Sequence, residues 1–141
     1  MKIFWDTNLF IYLWEKRTLV REMAALAHFV AREGHSVATS TLTLGEILVH
    51  PSRFGREDLV QRYREAMREL VLLPFDDEAA VVFGGLRARN PTLRPPDAVQ
   101  LACAVAGGCG LFLTNDTRLV GVEGVSKVKV QSLAEWVAEV G

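Results

Sequence analysis

The sequence predicts an α/β fold: a parallel sheet of five strands covered by helices on both faces. Three observations carry this. Short β-rich runs alternate with helical patterns from end to end, 141 residues suit one core, and a composition of 50% hydrophobic and 23% charged residues is that of an ordinary globular protein.

Lys2-Ile3-Phe4-Trp5 opens the chain as a strand and residues 8–15 follow as a helix. In residues 19–33, Leu19, Met23, Leu26 and Val30 recur at three- and four-residue spacing while Arg21, Arg32 and Glu33 fall elsewhere, the pattern of an amphipathic helix. Residues 36–40 read as the second strand, and residues 42–49 as a helix that ends near His50 because Pro51 follows. Residues 57–69 set Arg62, Arg64, Glu65, Arg68 and Glu69 around Leu59, Tyr63 and Met67, a helix with a solvated face. Residues 70–75 resemble a third strand closed by Pro74. Residues 77–89 form a helix that Gly84-Gly85 weakens by about 1 kcal/mol per glycine, and residues 96–106 form another. Leu111–Thr114 and Val125–Val130 complete the strands, and residues 132–139 close the chain as a helix. Repeats, low-complexity segments and a sustained heptad are absent, so a single domain over residues 1–141 is expected.

Asp6 and Asn8 break the apolar run at the N-terminus, and no small-residue cleavage site follows, so export is not expected. Nor does any apolar stretch approach the roughly 20 residues that span a bilayer, which points to a cytoplasmic protein without a membrane partner. Cys103 and Cys109 fit neither a disulfide framework nor a zinc motif and read as reduced residues near the core.

The acidic residues are the informative feature. Asp6 directly follows the first strand and Asp116 the fourth, so both lie at carboxyl ends of strands, where open parallel sheets bind ligands. Glu46 and Asp97 fall in the first turns of helices, and if those turns face the same edge, four carboxylates meet. Each has a local explanation. Thr43-x-x-Glu46 is a capping box, Asp97 after Pro96 complements a helix dipole, and Asp6 and Asp116 suit caps or turns. Jointly these explanations leave the apolar neighbours unaccounted for. Asp6 lies between Phe4-Trp5 and Leu9-Phe10-Ile11, and Asp97 beside Ala98-Val99 and Leu101-Ala102, with few basic residues nearby as partners. Carboxylates carried into such surroundings should be paired or should coordinate metal.

Four motifs, in order, resemble those of the PIN-domain ribonucleases, in particular the small VapC-type toxins of toxin–antitoxin pairs. They are Ile3-Phe4-Trp5-Asp6-Thr7-Asn8, Thr41-Leu42-Thr43-Leu44-Gly45-Glu46-Ile47, Pro96-Asp97-Ala98-Val99-Gln100-Leu101-Ala102 and Leu113-Thr114-Asn115-Asp116, and together they cover nearly the whole chain. The resemblance implies the PIN-domain fold, a five-stranded parallel sheet sandwiched between helices. It also implies Mg²⁺ or Mn²⁺ dependence, an RNA substrate cut to leave a 5′-phosphate and a 3′-hydroxyl, frequent homodimers and a cognate antitoxin. Asp6 and Asp97 would be the central ligands of one or two ions, with Asp116 and Glu46 completing the set directly or through water. Hard divalent cations take oxygen ligands and keep open positions, so such a set is catalytic rather than structural. Thr114 and Asn8 are candidates for orienting the carboxylates, although Thr114 serves equally as a strand residue. Mutual repulsion should hold at least one proton above the ordinary carboxylate value.

A net charge of −1 looks unsuited to RNA, but setting four of the 17 acids aside leaves 13 against 16 basic residues, twelve of them Arg. Arg53, Arg56, Arg87, Arg89, Arg94 and Arg118 adjoin the acidic segments, and Arg94 and Arg118 are the candidate phosphate contacts. His28, His35 and His50 have no nucleophilic partner, which disfavours histidine chemistry; Trp5, Trp14 and Trp136 read as core. Two other classes compete. A receiver-like signalling domain would use Asp76 or Asp77 with Thr114 and Lys129, which leaves Glu46 and Asp97 without a role. An aspartyl-phosphate phosphatase with Asp6 as nucleophile would want an acid where Asn8 stands.

Overall fold

The computed structural model describes residues 1–15, 20–125 and 127–140. Its elements in order are β1 (Lys2–Trp5), α1 (Thr7–Glu15), α2 (Val20–Glu33), β2 (Ser36–Ser40), α3 (Thr41–Arg53), α4 (Glu57–Met67) and β3 (Val71–Leu73). There follow α5 (Asp77–Arg89), α6 (Pro95–Ala106), β4 (Leu111–Thr114), a 3₁₀ turn (Thr117–Leu119), β5 (Lys129–Ser132) and α7 (Leu133–Val140). All four strand pairings are parallel, in the order β3-β2-β1-β4-β5.

β1 lies at the centre because it can be buried on both faces. Phe4 points to one side, where it stacks on Phe112 of β4 with ring centroids 4.9 Å apart and packs with α5 and α6. Ile3 and Trp5 point to the other side, into a second core built with residues of α1, α2, α3, α4 and α7. This alternation is the two-residue period of a strand, and two apolar faces are what a sheet with helices on both sides requires. Trp136 is buried in the second core, and Trp14, half-buried, stacks on Tyr63 at 4.6 Å. Cys103 and Cys109 are buried free thiols, and desolvation pushes both up to about 11. Among the described residues no helix is long and apolar enough to cross a membrane.

Three expectations are corrected. Helix α3 does not stop before Pro51 but runs through it to Arg53; the proline is buried and forgoes one backbone hydrogen bond in the last turn, which the packing tolerates. The fifth strand is Lys129–Ser132 rather than 125–130. Val125 and Val128 are buried, but the Val128 N–H donates to the Val125 carbonyl at 2.8 Å, a turn contact, so their apolar character reports burial and not a strand. Finally, the N-cap of α3 is Ser40, whose hydroxyl accepts from the Thr43 N–H, so Thr43 and Glu46 are not a capping box. Leu19 and Ser126 lie outside the described residues, as do the side chains of Arg21 and Met23.

Candidate active site

The strand order places a topological switch between β1 and β4: the chain leaves β1 towards β2 and β3, then returns across the sheet to β4. Loops diverge there at the carboxyl edge and leave a cleft. Asp6, Glu46, Asp97 and Asp116 all line it, together with Thr7, Asn8, Arg94 and Gln100.

Asp6 is the floor. The Asp6 N–H donates to the Leu113 carbonyl at 3.0 Å, which carries the β1–β4 pairing one residue past the strand and leaves the side chain 7% exposed. The Thr7 N–H donates to Oδ1 at 2.9 Å and the Thr114 hydroxyl to Oδ2 at 2.7 Å. Burial pushes its pKa up to about 6; the two hydrogen bonds oppose that shift, and the charges of Asp97 and Glu46 add to it. The proton expected from carboxylate repulsion is therefore held chiefly by desolvation.

Thr114 faces two ways. Its oxygen also accepts the Asp116 N–H at 2.9 Å, so one hydroxyl ties the β4 end to both acids. Asn8 acts on the backbone: its Oδ1 accepts the Asn115 N–H at 3.3 Å and so holds the loop that carries Asp116. Asp116 caps the 3₁₀ turn and receives both the Nε and the NH2 of Arg118, at 2.8 and 2.5 Å, which hold its carboxyl below the usual range. Arg94 donates to Asp97 at 3.1 Å and lies 3.9 Å from Asp116. The expectation that basic residues near Asp97 are too few to be obvious partners is thus corrected: Arg94, three residues earlier, reaches back across the first turn of α6. Both candidate phosphate contacts are already engaged with acids of the cleft.

Glu46 is exposed on α3 and is held by the Thr7 hydroxyl, which donates to Oε1 at 2.7 Å. Behind Thr7 lies a polar cluster that the sequence reading missed. Gln100 is 2% exposed; its Nε2 donates to Thr7 Oγ1 at 3.0 Å and Thr43 Oγ1 at 2.7 Å, and its Oε1 accepts from the Ser40 hydroxyl. A signal existed. Gln100 is a lone amide in an otherwise apolar run, three residues after Asp97 and therefore on the same helix face.

The donors suit a hard divalent ion, since four carboxylates and neither His nor Cys line the cleft. Among the described residues no three acids form a ready-made metal-ligand group; Asp97 is paired with Arg94 and Asp116 with Arg118. The acids that a receiver-like domain would use lie elsewhere. Asp76 caps α5 beyond the edge strand β3, accepting from the Ala79 N–H at 3.0 Å, and Lys129 pairs with Glu139.

Comparison with known proteins agrees with this fold. The chain is similar in structure to VapBC2 from Rickettsia felis, solved bound to a promoter DNA fragment, with a TM-score of 0.77 at 16% identity over 94% of this chain and 98% of that one. A toxin–antitoxin complex from Klebsiella pneumoniae gives a TM-score of 0.65 at 25% identity, covering 89% and 94%. FitAcB from Neisseria gonorrhoeae gives 0.72 at 19% identity, covering 95% and 99%. No functionally curated sequence matches. The PIN domain family model matches residues 3–125, most of the length, and the chain therefore belongs to the PIN-domain family.

Proposed function

We propose that this PIN domain is a divalent-metal-dependent endoribonuclease, using Mg²⁺ or Mn²⁺, and that it acts as the toxin of a toxin–antitoxin pair. The observation that carries the nuclease reading is the convergence of Asp6, Glu46, Asp97 and Asp116, from four separate segments, on one cleft at the carboxyl edge of the sheet. Membership of the family and likeness to the VapBC and FitAB complexes support it.

Asp6 and Asp97 are assigned as the central ligands, with Glu46 and Asp116 completing the set, for one or two ions. When bound, the ion activates water and stabilises charge on the scissile phosphate and its leaving oxygen. The protein's own residues prepare the ground. Thr114 and the Thr7 N–H fix both oxygens of Asp6, so its remaining lone pairs face the cleft. Asn8 and Thr114 hold the loop of Asp116. Arg94 and Arg118, on the rim, neutralise acids in the metal-free protein and lie where phosphates of a bound strand would approach. Substituting either should weaken RNA binding.

The test is cleavage of a structured RNA pool in Mg²⁺. The wild type should cut, and Asp97→Asn should lose about a thousandfold in rate, the equivalent of roughly 4 kcal/mol. Cutting that survives this substitution or excess EDTA overturns the mechanism. Induced expression should arrest growth for the wild type and not for Asp97→Asn, and a cognate antitoxin should relieve the arrest. Homodimerisation, implied by the resemblance, is read by light scattering.

A further inference from the structure

We infer that Gln100 is a positioning residue for the acidic cleft: it fixes Glu46 by obliging the Thr7 hydroxyl to donate to it. This rests on the metal-site reading above and adds to it a residue from the buried side.

Counting protons gives the direction. Thr7 Oγ1 has one proton to give and two lone pairs to fill, and three partners within reach: Gln100 Nε2 at 3.0 Å, Thr43 Oγ1 at 3.1 Å and Glu46 Oε1 at 2.7 Å. The amide nitrogen can only donate and the carboxylate can only accept, so the Thr7 proton goes to Glu46 and the Thr43 hydroxyl donates to Thr7. Thr43 Oγ1 in turn accepts the other Gln100 proton at 2.7 Å. At the far end the Ser40 hydroxyl donates to Gln100 Oε1 while its oxygen caps α3 by accepting the Thr43 N–H. Every donor in the chain has one acceptor, and the chain runs from the end of β2 through α6 to the cleft. With the amide reversed, Oε1 would face both threonines and compete with Glu46 for the Thr7 proton.

A position that only needed filling would hold an apolar residue, as its neighbour Leu101 does. A buried amide costs desolvation, and its partners here are all side-chain hydroxyls rather than backbone groups needing satisfaction. The consequence falls on Glu46, an exposed, flexible side chain that would otherwise sample several rotamers. Asp97 and Gln100 stand nearly one turn apart on α6, so one helix presents one acid directly and holds another through Thr7.

The full chain is titrated with Mn²⁺ by calorimetry, which reads the site without any turnover. Gln100→Met, similar in size but without donors, should weaken Mn²⁺ binding about tenfold, and Thr7→Val at least as much. Gln100→Asn, which keeps the amide but draws it back one methylene, should lose in the same direction, and Thr7→Ser should restore near wild-type binding. If Gln100 acts through Thr7, the double substitution Gln100→Met with Thr7→Val binds no worse than Thr7→Val alone. Wild-type affinity in both folded Gln100 variants overturns the role, as does a double variant whose loss is the product of the two single losses. A wild type that binds no Mn²⁺ removes the metal reading itself and this role with it. Wild-type binding abolished by Asp97→Asn but untouched at Gln100 removes this role alone.

Discussion

Asp6 and Asp116 are two hydrogen bonds apart, joined through the Thr114 hydroxyl, yet their protons are held in opposite ways. The floor of the cleft is dry, and burial raises Asp6 to about 6. The rim is wet, and a guanidinium 66% exposed holds Asp116 below its usual range. The same side chain thus performs two jobs. At the floor the fold keeps a carboxylate under strain that a cation can relieve; at the rim it keeps one already neutralised by a group that can swing away. Stability is given up at the first and not at the second, which is the usual sign of a site shaped for a ligand rather than for the fold.

The comparison breaks most visibly at the floor. Asp6→Asn should lose about a thousandfold in cleavage, as a ligand should, and should remove the pH dependence that Asp6 gives the metal-free protein, at the cost of one of the two hydrogen bonds its carboxylate accepts. The sign follows from the raised pKa. Below about pH 4 Asp6 is protonated in both states and the variant gains nothing. As pH rises towards 6 the unfolded chain releases the proton and the folded one keeps it, so wild-type stability falls, by about 3 kcal/mol in all, and stays down above pH 7. Urea unfolding in EDTA between pH 4 and 7.5 checks this; a stability difference between variant and wild type that stays constant over that range would mean that Asp6 is not held against its charge.

Thr114→Val attacks the link between the two acids. Mn²⁺ affinity should fall about ten- to a hundredfold, and stability by about 1–3 kcal/mol because the Asp116 N–H loses its acceptor. Without that hydroxyl Asp6 should titrate higher still, which NMR of a ¹³C-labelled carboxyl can follow.

The smallest effects belong to the rim. Arg118→Ala should change stability by under about 1 kcal/mol, since exposed pairs contribute little. RNA affinity should drop, and the dependence of log K on log salt should flatten by about one contact's worth. An unchanged slope would take Arg118 off the RNA path. Arg94→Ala should behave likewise, with the added loss of its reach to both Asp97 and Asp116.

What could be read from the sequence was what depends on near neighbours. β1, β2 and β4 stand where their apolar runs stand, and Asp6 and Asp116 were placed by the strand ends that precede them. Asp97 lies in the first turn of α6 as expected, whereas Glu46 lies in the second turn of α3, because that helix starts at Thr41; the cleft brings both in. The failures share a cause. Ser40 and Gln100 meet across 60 residues of chain, and Thr7 and Glu46 across 39, so no local window displays them. The Thr43-x-x-Glu46 spacing mimicked a cap, but α3 starts earlier, at Thr41, which puts Glu46 in the second turn; Thr43 faces Thr7 and Gln100, and Glu46 faces Thr7. Val125 and Val128 mimicked a strand because a buried turn can carry β-branched apolar residues as a strand does. Arg94 was overlooked as a partner of Asp97 because two prolines separate them in sequence, whereas the helix start folds the guanidinium back.

Parallel order also carries a consequence for the making of the protein. The neighbour of Asp6 across the sheet, Leu113, and the hydroxyl of Thr114 are synthesised more than a hundred residues after Asp6 itself. Until β4 slots in beside β1, the floor of the cleft has no wall and Asp6 faces water, and slow pairing of distant strands is what this topology imposes. A nascent or truncated chain that ends before residue 111 therefore cannot assemble the cleft, and whatever chemistry it performs switches on only after nearly the whole chain has folded.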